Sequence, residues 1–197
     1  MFLATFDFIA SALAVAFSAT AIKLIDDYLD RENDAACHQF NWAAYLGPGI
    51  AVYAMLFFTV AACINPKLSS ALFLASYAIG MLSDLRTRMP SRLLGWQESI
   101  VVLIVSSCLL GWRMTVFSML FIFAVQCIDD CIDLKIDRRC ELGTRNLACR
   151  LGIVECCIIG LIALLSAWRL NEALFIPVIT GATIFYIAML HFQGVKT

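Results

Sequence analysis

The chain has 197 residues, of which 62% are hydrophobic and only 15% carry a charged side chain. Soluble globular domains carry about 25% charged residues, so this composition excludes an ordinary soluble domain. The mean hydropathy of +0.87 is typical of a chain surrounded by lipid, and the formal net charge of −1 gives no reason to expect a nucleic-acid partner.

Seven apolar runs follow one another along the chain, and several approach the ~20 residues that a helix needs to cross a bilayer. They cover residues 2–25, 43–64, 68–83, 93–111, 114–128, 149–168 and 172–192. Asn171 predicts that the last helix begins at Glu172, because Asn is a preferred residue just before a helix. We therefore predict an all-α, multi-pass transmembrane bundle of about seven helices, with residues 1–197 in a single domain.

The basic residues are distributed unequally between the two predicted membrane sides. Eleven of the 14 Lys and Arg residues lie on the side that holds the C-terminus, and the other three are Lys67, Arg113 and Arg169. Cytoplasmic loops carry an excess of Lys and Arg. We therefore expect a cell-membrane protein with its N-terminus outside and its C-terminus inside.

Nine cysteines are scattered through the chain, and none shows the paired CxxC spacing of zinc or redox sites. Most lie in apolar stretches, where Cys behaves as a small hydrophobic residue. We interpret them as packing residues.

Most acidic residues fall in two segments that end the first and fifth apolar runs. Each segment reads IDDxxDxxxD, from Ile25 to Asp34 and again from Ile128 to Asp137, and the copies are 103 residues apart. At about 100° per residue, the last three aspartates of each copy lie within about 60° of one another on a helix. The spacing therefore predicts one carboxylate stripe per copy, with both stripes at the cytoplasmic membrane surface.

Clustered carboxylates at a helix C-terminus repel one another and face the negative end of the helix dipole, so they call for cations. Mg²⁺ prefers oxygen ligands and commonly binds through one or two carboxylates plus substrate phosphates. Two facing stripes would hold a diphosphate through bridging Mg²⁺, and a solvated acidic helix end is the alternative interpretation. The candidate metal ligands are Asp26, Asp27, Asp30, Asp34, Asp129, Asp130, Asp133 and Asp137.

The paired motifs resemble those of the UbiA superfamily of intramembrane prenyltransferases, which read NDxxDxxxD and DxxDxxxD. The resemblance covers about residues 20 to 155. In the family a stretch like GxRTLPVxxG follows the second motif; here residues 143–152 read GTRNLACRLG, with Asn146 and Ala148 in place of Thr and Pro. The family has nine helices, and the seven expected here would correspond to its second to eighth.

This resemblance implies a Mg²⁺-dependent transferase that ionises a polyprenyl diphosphate and passes the prenyl group to a lipophilic acceptor. Aspartates in both motifs are then the expected catalytic residues: Asp27, Asp30, Asp130 and Asp133. Arginines near the motifs would neutralise the diphosphate, namely Arg86, Arg88 and Arg145. Tyr28 and Tyr77 would stabilise an allylic cation through their ring faces. Membrane topology alone is the competing explanation for the arginines.

Three other functions remain open at this level. A membrane terpene cyclase would ionise the same diphosphate but quench the cation within the prenyl chain. A divalent-cation transporter is disfavoured, because transport sites usually lie near the bilayer midplane and these aspartates end their helices. A non-catalytic membrane scaffold is the third. Glu98 and Glu155 are expected inside spans, where an acid indicates either function or a buried partner.

Overall fold

The computed structural model describes residues 2–36, 40–83, 87–139 and 146–194. Within these ranges the chain is helical without strands, and one isolated bridge joins Arg88 and Leu94. The all-α prediction is therefore confirmed. The helices are α1 (Phe2–Leu29), α2 (Arg31–Ala36), α3 (Trp42–Leu46), α4 (Ile50–Ile64), α5 (Pro66–Ser83), α6 (Gly95–Leu110), α7 (Trp112–Arg139), α8 (Leu147–Leu151), α9 (Ile153–Leu170) and α10 (Glu172–Gly194), with a 3₁₀ turn at Gly47–Gly49.

Five segments of the described chain are long and apolar enough to cross a membrane. The remaining two predicted runs form α5, which has 18 residues, and α6, which has 16. Membrane crossing by these two helices stays a prediction, as does the total of seven. The five segments are Thr5–Leu29, Trp42–Ile64, Trp112–Leu134, Ile153–Leu170 and Glu172–Phe192.

Two of the apolar runs form a short helix followed by a long one, rather than a single helix. The run 43–64 is broken after α3 at Gly47, where φ is 59°, and the run 149–168 is broken after α8 at Gly152, where φ is 112°. Glycine adopts such positive φ values without the steric cost that a side chain adds. Each glycine therefore lets the chain turn before α4 or α9 begins.

The chain divides into two compact units, each built around one 28-residue helix. Unit 1 comprises Met1–Ser70 with Glu172–Thr197, and in it α1 packs along both α4 and α10. Unit 2 comprises Ala71–Asn171, and in it α7 packs along α9 and also contacts α6. Each unit thus pairs a long helix that ends in an acidic motif with the helix that returns after it.

Small residues allow the long helices to approach closely. A Cβ added to Gly181 of α10 would overlap the carbonyl oxygen of Ala12 and lie 2.7 Å from Val15 Cβ, both in α1. A Cβ added to Gly160 of α9 would lie 3.0 Å from Cys127 Cβ in α7. Helices in lipid associate largely through such close packing, because lipid tails are as apolar as the helices themselves.

We expect Gly181→Ala to lower the free energy of unfolding by about 1–3 kcal/mol, because the new methyl group forces α1 and α10 apart. The matched control is Gly80→Ala in α5, where an added Cβ meets nothing within 4 Å. The control should be neutral or stabilising, since Ala favours the helix over Gly. Thermal melts in detergent measure both; equal melting temperatures for the two variants would contradict the close contact.

Reporter fusions in the loops should place residues 86–92 and 135–150 in the cytoplasm, because the predicted cytoplasmic side holds most of the basic residues. Fusions after residues 65 and 171 should report the opposite side. A periplasmic or extracellular signal from 86–92 or 135–150 would overturn the orientation, and with it access of the acidic motifs to a cytosolic diphosphate.

Candidate functional site

The first acidic segment is hydrogen-bonded to the segment that follows it in the chain and packs back against the end of α1. Asp27, at the end of α1, is 1% exposed, and its Oδ2 accepts a hydrogen bond of 2.9 Å from the main-chain N–H of Trp42. Asn41 Nδ2 donates to the main-chain carbonyl of Asp27 at 2.7 Å, and Asn41 Oδ1 accepts from the N–H of Ala43. Asn41 therefore caps α3 and holds it against the end of α1. We call this arrangement the first clasp.

The second acidic segment has the same arrangement, which we call the second clasp. Asp130 in α7 is 8% exposed, and its Oδ2 accepts from the main-chain N–H of Leu147 at 2.8 Å. Asn146 Nδ2 donates to the carbonyl of Asp130 at 2.8 Å, and Asn146 Oδ1 accepts from the N–H of Cys149 at 2.8 Å. Hydrogen bonds to charged groups contribute about 1.5–3 kcal/mol each, so both clasps stabilise the return of the chain.

In addition to the acidic motifs, a second repeated sequence pattern marks the residues that form the clasps. The segment 41–47 reads NWAAYLG and the segment 146–152 reads NLACRLG, so both fit NxAxxLG. In each copy Asn caps a five-residue helix, Ala is buried at 3% or less, and Gly takes the positive φ that ends the helix. Asn146 and Ala148, which depart from the family pattern, are thus members of an internal repeat.

The two clasps differ in charge at one equivalent position. Lys23 Nζ lies 2.9 Å from Asp27 Oδ1, whereas Gln126 Nε2 donates to Asp130 Oδ1 at 3.2 Å. Lys23 and Gln126 both stand four residues before the clasped aspartate. The lysine compensates one negative charge in the first segment, and the neutral amide does not do so in the second.

The other predicted ligands lie closer to the surface than the clasped aspartates. Asp26 is exposed, with its Oδ2 3.7 Å from Lys23 Nζ, and Tyr28 is 49% exposed. The partly buried carboxylates are those of Asp30, Asp34, Asp129 and Asp133. Asp137 belongs to α7, but its side chain, together with Arg86 and Arg145, lies outside the described residues.

Tyr77 lies in a separate polar cluster of unit 2. Its hydroxyl donates to Glu98 Oε2 at 2.8 Å, and Ser91 Oγ donates to Glu98 Oε1. The partners of Glu98 in this cluster are therefore a tyrosine and a serine. Arg88 is exposed on the nearby turn, where it bridges to Leu94.

Among the described residues, no three His, Cys, Asp or Glu side chains come together as a self-sufficient metal site. Both carboxylate oxygens of Asp27 and of Asp130 have protein partners: Oδ2 accepts from a main-chain N–H, and Oδ1 contacts Lys23 Nζ or Gln126 Nε2. One or two carboxylates per ion still suit Mg²⁺, because phosphate oxygens and water commonly supply its remaining ligands. The residues present therefore fit Mg²⁺ held jointly with a diphosphate.

An apolar cavity of about 370 Å³ lies in unit 1 next to the first clasp. It reaches Leu24, one turn before the clasped Asp27, and Trp42, whose main-chain N–H closes the clasp. Thr20 also lines the cavity, and its hydroxyl donates to the main-chain carbonyl of Ala16. Six aromatic side chains line the cavity: Phe17, Trp42, Tyr53, Phe57, Phe185 and Phe192.

Asp34 gives the first segment a distinctive pH dependence. Burial raises the pKa of its carboxyl, a hydrogen bond from Asn41 Nδ2 at 2.6 Å opposes this rise, and repulsion from Asp30 adds to it. A carboxyl with a raised folded-state pKa binds its proton more tightly in the folded protein. Its contribution to stability is therefore full below the ordinary pKa and is lost as the pH rises through the raised value.

We expect Asp34→Asn to abolish this pH-dependent loss of stability, while its amide oxygen can still accept the hydrogen bond from Asn41 Nδ2. In metal-free buffer, the melting temperature of the wild type should fall more than that of the variant as the pH rises through the acidic range just above the ordinary carboxyl pKa. Above that range the variant should be equally stable or more stable. A wild-type advantage that grows with pH would show that the pKa of Asp34 is lowered by folding.

No protein-family model, curated protein or solved structure matches the chain. The paired acidic segments, their clasps and the neighbouring apolar cavity are the features on which a function has to rest.

Proposed function

We propose that this chain is a Mg²⁺-dependent intramembrane prenyltransferase that acts on a polyprenyl diphosphate and a lipophilic acceptor. The observation that supports it best is the aromatic cavity of about 370 Å³ that begins directly beside a clasped acidic helix end. A prenyl diphosphate likewise has two parts, an anionic head group and a long apolar tail. Cavities of roughly 300–1,000 Å³ lined by apolar side chains are typical of small-molecule sites.

In this proposal the acidic segments bind the head group and the cavity binds the chain. The head group would meet the exposed carboxylate of Asp26 and the partly buried carboxylates of Asp30, Asp129 and Asp133, and the clasps hold Asp27 and Asp130 beside them. Bound Mg²⁺ would supply charge neutralisation for the departing pyrophosphate. At the clasped aspartates themselves, Lys23 pairs with Asp27 in the first segment, whereas the neutral Gln126 contacts Asp130 in the second.

The remaining residues have supporting roles in the same proposal. Exposed Arg88 would approach the diphosphate, and Arg86 and Arg145 are proposed for the same task. The ring faces that line the cavity would stabilise positive charge on the allylic carbon after ionisation. In addition to the cavity residues, Tyr28 at the end of α1 and Tyr77 are proposed to stabilise the allylic cation.

The test is pyrophosphate release by the purified protein in nanodiscs, with geranyl, farnesyl and geranylgeranyl diphosphate, with Mg²⁺ or EDTA, and with or without lipid extract as a source of acceptors. Mg²⁺-dependent release that requires the extract supports the transferase. Release without any acceptor, with a cyclic hydrocarbon as product, supports the terpene cyclase instead. No release from any diphosphate under these conditions contradicts both enzymes.

A cavity variant tests the tail-binding part of the proposal. Ala16→Leu fills space in the cavity, and Ala51→Leu adds the same volume at an exposed position of α4 that does not line it. The first change should raise KM for the longest diphosphate more than for the shortest, because a longer chain needs more of the cavity. Equal effects of the two variants would place the prenyl chain elsewhere.

A further inference from the structure

Four cysteines of unit 2 come together where α7 packs against α9. Cys127 and Cys131 lie one turn apart in α7, and Cys156 and Cys157 are consecutive in α9. Cys127 and Cys156 are buried, and Cys156 Sγ donates to the carbonyl of Cys127 at 3.5 Å. Their role fits the packing interpretation drawn from the sequence.

The other two thiols form a different kind of pair. Cys131 Sγ and Cys157 Sγ are 3.6 Å apart, and Cys131 Sγ is also 3.9 Å from the carbonyl oxygen of Ile153. Cys131 is partly buried, whereas Cys157 is exposed. The two sulfurs are already in contact, and one of them is accessible from outside the chain.

We propose that Cys131 and Cys157 are a redox-active thiol pair, which an organic hydroperoxide dissolved in the bilayer converts into a disulfide between α7 and α9. A disulfide bond is about 2.05 Å long, so the sulfurs have to approach by roughly 1.5 Å. Rotation of two cysteine side chains supplies that movement. The inference does not depend on the prenyltransferase proposal.

The chemistry balances with the hydroperoxide as the oxidant. The sulfur of Cys157 attacks the terminal oxygen of the hydroperoxide, and the O–O bond breaks as the S–O bond forms. The departing alkoxide takes up the thiol proton and leaves as the alcohol, and Cys157 becomes a sulfenic acid. The thiol of Cys131 then displaces water from that sulfenic acid and forms the disulfide. Overall, two thiols and one hydroperoxide give one disulfide, one alcohol and one water, and two electrons pass from sulfur to the peroxide.

The position of the pair gives the disulfide a structural consequence. Cys131 directly follows the clasped Asp130, and α8 with the rest of the second clasp lies between Cys131 and Cys157 in the chain. Closing this loop restricts the unfolded chain, so the oxidised protein should resist unfolding more than the reduced one. The acidic end of α7 would then be fixed to α9 by a covalent bond as well as by the clasp.

The experiment uses the full chain, purified with reductant, desalted and placed in phosphatidylcholine nanodiscs. Cumene hydroperoxide is added, remaining thiols are alkylated, and disulfides are mapped by peptide mass spectrometry. We expect a peptide pair that joins Cys131 to Cys157, reversal by dithiothreitol, and a melting temperature several degrees above that of the reduced protein.

Variants separate this pair from the other accessible thiols. Cys157→Ser should lose both the bridge and the rise in melting temperature, whereas Cys63→Ser and Cys108→Ser, which change exposed cysteines of α4 and α6, should keep both. Mapping of the wild type needs no variant to fold. Bridges that join other cysteines, or full alkylation of Cys131 and Cys157 after peroxide treatment, would overturn the proposal.

Discussion

Asp30→Asn and Asp133→Asn should each lower prenyl diphosphate turnover by a factor on the order of 10² or more, as loss of one preorganised electrostatic contact commonly does. Each change removes a charge that would hold Mg²⁺ against the diphosphate but alters little volume. Asp27→Asn and Asp130→Asn should lower turnover by a similar factor. Both variants should keep the clasp, since an amide oxygen can still accept the hydrogen bond from the main-chain N–H that closes it. Turnover is measured as pyrophosphate release in nanodiscs.

Thermal melts give a second measurement of the same variants. Ligand at 100 times its Kd should stabilise the wild type by about 2.7 kcal/mol when Mg²⁺ and prenyl diphosphate are both present. The four Asp→Asn variants should lose most of this gain. Without ligand, Asp30→Asn and Asp133→Asn should be as stable as the wild type or more so, because they relieve repulsion between carboxylates three or four residues apart.

The matched control for the acidic residues is Glu32→Gln, which changes an exposed acid of α2 at a variable position of the first motif. It should keep both turnover and ligand stabilisation. If wild type, control and Asp→Asn variants all gain equally from Mg²⁺ and prenyl diphosphate, the aspartates do not form the diphosphate site. If Asp30→Asn and Asp133→Asn lose stability even without ligand, their carboxylates serve mainly to hold the structure together.

Asn41→Ala and Asn146→Ala should each lower the free energy of unfolding by about 2–4 kcal/mol. Loss of the helix cap costs about 1 kcal/mol. The buried main-chain carbonyl of Asp27 or Asp130 also loses its partner, and a buried group left unsatisfied costs about 1–3 kcal/mol. Urea or thermal unfolding in detergent, followed by circular dichroism, measures the change.

Serine at the same position separates the two parts of this effect. Asn146→Ser keeps an oxygen that caps α8 but is too short to reach the carbonyl of Asp130, so it should recover only the cap contribution. The serine variant should therefore fall between the wild type and the alanine variant. If the serine and alanine variants are equally unstable, the cap contributes nothing. If all three proteins are equally stable, the second clasp does not stabilise the folded protein.

The sequence by itself determined the all-α class and the approximate positions of the seven longest helices that the structure describes. Long apolar runs have few other stable forms in lipid, because a helix satisfies its main-chain hydrogen bonds internally. The acidic motifs were expected at the ends of the first and fifth runs; the structure has the first Asp pair in the last turn of α1 and all four aspartates of the second copy within α7. The last helix begins at Glu172, as Asn171 predicted. These are local properties, so the order of residues is enough to specify them.

Only the tertiary structure decided which aspartates are buried, where the apolar cavity lies and which cysteines meet. Asp27 and Asp130 were indistinguishable from their neighbours until the chain returned and placed the N–H groups of Trp42 and Leu147 against them. Those bonds join residues 15 and 17 positions apart, and helical periodicity says nothing about such pairs. Likewise Cys131 and Cys157 meet only because α9 packs back along α7, so their contact depends on how the helices pack rather than on spacing.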